Sequence, residues 1–139
     1  EPRYCQKILV CSDIVSPLMA RKGNFDFILA QNSLGIFNGS RFLENQLIAI
    51  SKFRAVENDK YLALSSNFGR SFIMDERGNI QKITDSDGYK ILTGEIAPRT
   101  NRTWYNKLGD WPILLISFAL IFVSFFSKCF GRYLKTNAD

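Results

Sequence analysis

Cys11 is the side chain best placed for nucleophilic chemistry. A β-branched and aliphatic run, Ile8-Leu9-Val10, leads into it, and Ser12-Asp13 followed by Ser16-Pro17 stops the strand just beyond. A cysteine where a buried strand meets a sharp turn is presented at the edge of a sheet. Its thiolate can attack an acyl carbon, and backbone N–H groups after the turn can hold an oxyanion. The same pattern also fits a small buried apolar residue at a strand end. Ser12 and Asp13 are the near-site candidates; Asp13 either orients neighbours or caps the turn. Asn32 follows a second strand, where an amide binds backbone or substrate. Arg54 and Glu57 stand three apart on a helical stretch, a spacing that pairs them, and their expected role is structural.

Other chemistries are excluded by residue type. The chain has 139 residues and no histidine, so His-based triads, HExxH zinc sites and most imidazole acid–base schemes are absent from it. Its cysteines, Cys5, Cys11 and Cys129, are odd in number and widely spaced, which opposes a disulfide framework. No cofactor or metal site is expected. The formal net charge is +5. Arg99, Arg102, Lys107, Lys128, Arg132 and Lys135 stand against only Asp110 and Asp139, so the basic excess flanks one apolar run. That placement suits either anionic lipid head groups or a solvated linker and tail. No basic patch interleaved with aromatics points to nucleic acid.

The elements that must position Cys11 alternate between strand and helix. Ile8–Val10 is a strand, Pro17–Lys22 a helical turn ended by Gly23-Asn24, and Phe25–Ala30 a second strand. Residues 32–39 read as a loop. From Ser40, a fair N-cap, the period changes: Phe42, Leu43, Leu47, Ile50 and Phe53 draw one apolar face on a helix ending near Asn58-Asp59. Tyr61–Ser65 and Ser71–Met74 are strands, and Asp75-Glu76-Arg77-Gly78-Asn79 turns into Ile80–Ile83. Ile91–Ile96 is a last strand closed by Pro98. This is an α/β layer, and one long helix cannot cover both faces of its sheet. A further half of the domain, a partner or a second copy must pack there.

From Trp111 to Phe126 no residue is charged. Asp110 can cap a helix there, and Pro112 suits its first turn. That run is roughly 24 Å long at ~1.5 Å per residue, short of a ~30 Å hydrocarbon core. Lys128 can snorkel, which extends the helix through Phe130. Trp104, Tyr105 and Trp111 at one end and Tyr133 at the other resemble an aromatic belt. The expectation is a transmembrane helix over 111–130, preceded by a juxtamembrane linker at 99–110 and followed by a tail at 131–139.

The order of the pieces carries a resemblance. The strand leading to Cys11-Ser12-Asp13 is followed by Phe25-Asp26-Phe27-Ile28-Leu29-Ala30-Gln31-Asn32-Ser33. Then come Phe53-Arg54-Ala55-Val56-Glu57-Asn58, Ser65-Ser66-Asn67-Phe68-Gly69 and Asp75-Glu76-Arg77-Gly78-Asn79-Ile80. Together they resemble the second half of a nitrilase-like (carbon–nitrogen hydrolase) domain. Leu92-Thr93, Pro98-Arg99-Thr100, Trp104-Tyr105 and Gly109-Asp110-Trp111-Pro112, leading into a terminal apolar helix, are similar to the apolipoprotein N-acyltransferase family. The resemblance implies the second half of an αββα sandwich over 1–98, followed by one transmembrane helix. It implies a membrane acyltransferase of the bacterial cytoplasmic (inner) membrane, with its domain on the outer, periplasmic side and the tail in the cytoplasm. The family moves an acyl chain from a phospholipid donor, through a cysteine thioester, to the N-terminal amine of a lipoprotein acceptor. Cys11 falls on the nucleophile position. The family's base Glu and its Lys lie upstream, in the other half of the domain, and are carried to no residue here. Ser12-Asp13 replaces the family's aromatic-Glu pair, and Phe68 stands where the family has a second Asn before Gly. A membrane-anchored amidase using water as acceptor and a non-catalytic diverged remnant or subunit are the alternatives.

Overall fold

Three short parallel strands set the frame. The computed structural model describes residues 3–85 and 88–136, with side chains in the last helix described to Phe126. The chain divides into two compact units, Glu1–Lys107 and Leu108–Asp139. In the first, β1 (Gln6–Val10), β2 (Phe27–Ser33) and β3 (Leu62–Asn67) pair in parallel, and β4 (Phe72–Met74) and β5 (Ile80–Ile83) continue the sheet antiparallel in the order 1-2-3-4-5. Parallel neighbours need a crossover, and the helices α1 (Pro17–Arg21) and α2 (Arg41–Asn58) supply it.

Strand periodicity sorts the side chains. Leu9, Ile28, Ala30, Leu62, Leu64, Phe72 and Met74 form one buried cluster with Ala20 of α1 and Leu47 and Ala55 of α2. On the opposite face Ile8 and Val10 are 57% and 52% exposed. The helices therefore cover one face, as one long helix must. The architecture is α/β with a mixed five-stranded sheet.

The hairpin between β4 and β5 forms where the turn residues place it. Asp75 Oδ1 accepts the N–H groups of Arg77 at 2.9 Å and Asn79 at 2.8 Å. Gly78 has φ +77, and a Cβ there would lie 3.3 Å from Lys52 Cβ and Val56 Cγ2. Glycine is needed for both conformation and close approach to α2.

The structure corrects four expectations. First, β2 runs through Asn32 to Ser33, so Asn32 lies within the strand and does not open a loop. Its backbone stays in register with Ser66 of β3. Second, Ile91–Ile96 is not a strand. Ile91 is 83% exposed, and Thr93 O is held by the Lys82 ammonium at 2.7 Å in place of a ladder partner. Third, α2 is turned on its axis. Phe42 and Phe53 face outward, while Glu44, Leu47, Ser51, Arg54, Ala55 and Asn58 are buried. Two of the polar members are satisfied within the helix: Ser51 Oγ donates to Leu47 O at 2.7 Å, and Asn58 Nδ2 to Arg54 O at 2.7 Å. Ser40 holds the N-cap position, but its side chain makes no capping bond. Fourth, the terminal helix α4 spans Trp111–Thr136 and so passes the expected end at Phe130.

In the second unit, α4 exposes Ile113, Leu114, Leu115, Ile116, Phe118, Leu120, Ile121, Phe122, Val123, Phe125 and Phe126. Among the described residues, no helix is long and apolar enough to cross a membrane. Cys129, the snorkelling Lys128 and the belt residue Tyr133 lie outside the described side chains, and residues 137–139 lie outside the described backbone.

Candidate functional site

Cys11 is the first residue after β1 and opens a 3-10 turn over Cys11–Val15. It has φ +53 and is solvent-exposed. A non-glycine residue in that left-handed region is strained by about 1–2 kcal/mol, and the surrounding bonds hold it there. Asp13 supplies one of them: its Oδ2 accepts the Val10 N–H at 3.1 Å, across the bend. That bond caps the turn.

Strand register brings other residues alongside. Val10 pairs with Gln31, Gln31 pairs with Ser65, and one step further Asn32 pairs with Ser66. Cys11 continues β1 at that level, so all three chains end on one edge, the carboxyl end of the parallel strands. Ligands of open α/β sheets gather at this edge. A cavity of about 600 Å³ lies there, lined by Val10, Cys11, Gln31, Asn32, Ser33, Ser65, Ser66, Asn67, Phe68, Gly69, Ser71, Thr84, Asp85, Gly88, Tyr89 and Lys90. Cys11 and Asn32, distant in sequence, thus share one cavity. Ser12 and Asp13 are not among its lining residues.

The wall after β3 is braced from below. Glu44 of α2 is 4% exposed, and its Oε1 accepts the Arg70 backbone N–H at 2.6 Å and lies 3.1 Å from Arg70 Nε. Burial pushes the Glu44 carboxyl up, but the Arg70 guanidinium and N–H outweigh it and hold the carboxyl below its ordinary range. Arg70 Nη2 also donates to Asn45 Oδ1 at 3.0 Å. Ser71 Oγ accepts the Ser66 N–H at 3.0 Å, and the Ser71 N–H donates to Thr84 Oγ1 at 2.9 Å. On the other side, Leu34 N donates to Asn67 O at 2.9 Å. The end of β3 and the loop 68–71 are consequently fixed to both α2 and the chain after β2.

The opposite end of the sheet is polar and structural. Lys60 is 1% exposed; its ammonium donates to Arg99 O and, at 2.6 Å, to Asn101 O, and sits 6.0 Å from the Phe25 ring centroid. Burial pushes its pKa below the ordinary lysine value. Asn106 Nδ2 donates to Asn58 Oδ1 at 2.5 Å, and Arg102 Nε to Asn106 Oδ1 at 2.6 Å. Thr103 Oγ1 donates to Glu57 O. Arg54 and Glu57 form the expected pair, at 3.2 Å with Arg54 nearly buried, in the helix half that receives this segment. Residues 99–106 are therefore docked on the end of α2, and α3 (Trp104–Leu108) begins within them. Cys5 lies at this end too, its N–H donating to Asp26 Oδ2 at 2.8 Å. One strand at ~3.3 Å per residue separates it from Cys11 by roughly 20 Å.

The sequence reading did not single out Ser65, Ser66, Phe68 or Gly69 as site residues. The signal for them was a polar Ser-Ser-Asn run closing a strand, next to a glycine. Glu44 and Lys60 gave no local signal, since their partners are 26 and about 40 residues away.

No family model matches the chain. It is similar to proteins named apolipoprotein N-acyltransferase from several bacteria. The relative from Coxiella burnetii is 28% identical over 124 residues, covering 89% of this chain and 24% of the relative. That from Geobacter metallireducens is 32% identical over 109 residues, covering 74% of the chain and 20% of the relative. That from Shewanella oneidensis is 31% identical over 83 residues, 60% of the chain and 16% of the relative. The chain thus spans a quarter or less of the length of these relatives. The resemblance to apolipoprotein N-acyltransferases read from the order of its residues is borne out.

Proposed function

We propose, from the chain's relation to the apolipoprotein N-acyltransferases, that it is the C-terminal part of a membrane acyltransferase of lipoprotein maturation, with Cys11 as nucleophile. The observation that supports this best is the strained, exposed Cys11 opening into a polar cavity at the carboxyl edge of three parallel strands. In the proposed reaction the Cys11 thiolate attacks the ester carbonyl of a phospholipid. The lysophospholipid alkoxide leaves with a proton from a general acid, and a thioester remains. The free amine of the lipoprotein's N-terminus then attacks that thioester. Amide forms, the thiolate is released, and the amine proton passes to the base.

The acid–base group and the lysine come, by resemblance, from the upstream half of the domain. The uncovered sheet face with Ile8 and Val10 gives that half a surface to pack on. The product separates the readings. A longer form carrying that half, given phospholipid and a diacylglyceryl peptide, should yield the N-acyl peptide. Ammonia release from an amide without acyl transfer would replace this reading with the amidase.

The same proposal puts residues 111–130 in the bacterial cytoplasmic membrane, with the domain outside and 131–139 inside. In support, α4 presents apolar side chains all round over 111–126, and a helix without a polar face requires apolar surroundings. Cysteine scanning with a membrane-impermeant reagent should find Leu115–Val123 protected. Ready labelling there would remove the membrane assignment.

A further inference from the structure

Phe68 is an unusual residue for its place. Its φ is +59, a conformation that bulky side chains rarely adopt and that asparagine or glycine takes easily. The ring is 64% exposed, so burial of apolar surface does not account for it. Yet three independent features keep it there. Asn67 O is bonded by Leu34 N on one side. Arg70 N is bonded by buried Glu44 on the other. A Cβ on Gly35 would lie 3.0 Å from the ring, so a glycine leaves the space in which it rests. Phe68, Val10 and Tyr89 are the large apolar members of the wall of the Cys11 cavity, whose lining is otherwise mostly polar. Strain held by surrounding structure at a cavity wall marks a residue whose side chain is needed at that point.

We propose that the Phe68 ring is the specificity wall of the Cys11 cavity and selects a hydrocarbon chain on the group brought to the sulfur. A flat apolar surface in the cavity that the thiol lines gains contact area with each added methylene and offers nothing to a polar substituent. This rests on Cys11 being the reacting group. Its test reads the selectivity of that sulfur without any acyl transfer, so the two ideas fail separately.

The test uses the full 139-residue chain and methyl, butyl and octyl methanethiosulfonates. Each transfers its alkylthio group to a thiol, forming a mixed disulfide and releasing methanesulfinic acid. Peptide mass spectrometry gives the labelling rate of Cys11 relative to Cys5, an exposed internal reference at the far end of β1. From methyl to octyl that ratio should rise about 10-fold or more in the wild type. It should rise similarly in Phe68→Leu, which keeps an apolar side chain, and stay flat in Phe68→Asn. Asparagine accepts the left-handed backbone, so the Phe68→Asn variant should unfold at or above the wild-type temperature. A flat wild-type ratio, a rise that persists in Phe68→Asn, or its loss in Phe68→Leu would each overturn the proposal.

Discussion

Given phospholipid and a diacylglyceryl peptide, the 139-residue chain by itself should transfer acyl groups about 10²–10⁴-fold more slowly than a longer form with the upstream acid and lysine. An ordinary thiol, with a pKa of ~8.5, is a few per cent ionised at neutral pH, and attack needs a neighbouring base or cation. Among the described residues, little of either stands at Cys11. It has no histidine. The Asp13 carboxylate is engaged by the Val10 N–H and holds the turn. Lys90 lines the same cavity, but its ammonium is paired with Asp85 at 2.8 Å. Glu44 sits beneath the loop 68–71 and is occupied by Arg70. What the fold does provide is position: a cysteine with strained backbone in the cavity wall, with Asn32 and Ser66 at the same level. Transfer is measured as N-acyl peptide formed per unit time by both forms. Equal rates would show that the proton-handling groups lie within these residues.

Much of the local structure was legible because it depends on neighbours in sequence. The stop at Ser12-Asp13, the helix end near Asp59 and the hairpin at Asp75–Asn79 rest on turn chemistry and capping, and the structure has all of them. The face of α2 was misjudged for a physical reason. Phe42 and Phe53 look like core by period, yet the buried stripe runs through Glu44, Ser51, Arg54 and Asn58, of which Glu44 and Asn58 take partners from distant segments. Such partners cannot be read from spacing. The segment 91–96 has the apolar residues of a strand, but strand identity needs a ladder partner, and β5 gives it only a lysine side chain. The candidate site was half legible. Cys11 and Asn32 were identified singly, but their meeting follows from the parallel register of β1, β2 and β3. Phe68 stood out as a departure from a family pattern, while its backbone strain and its seat on Gly35 belong to three dimensions.

The second large effect expected is on the covalent intermediate. Replacing Cys11 by Ser exchanges a polarizable thiol for a hydroxyl far weaker as a nucleophile near neutral pH, while changing the volume of an exposed residue little. Cys11→Ser should therefore keep the wild-type unfolding temperature and lose the intermediate. Cys5 is not expected to substitute, since its sulfur sits at the other end of β1 near Asp26 and Lys60. The most direct measurement is intact and peptide mass spectrometry of the longer form after incubation with phospholipid alone, without an amine acceptor. The account predicts one added acyl group, on the peptide containing Cys11, that hydroxylamine releases and that Cys11→Ser lacks. An acyl adduct that survives in Cys11→Ser, or that appears only on Cys5 or Cys129, would contradict it.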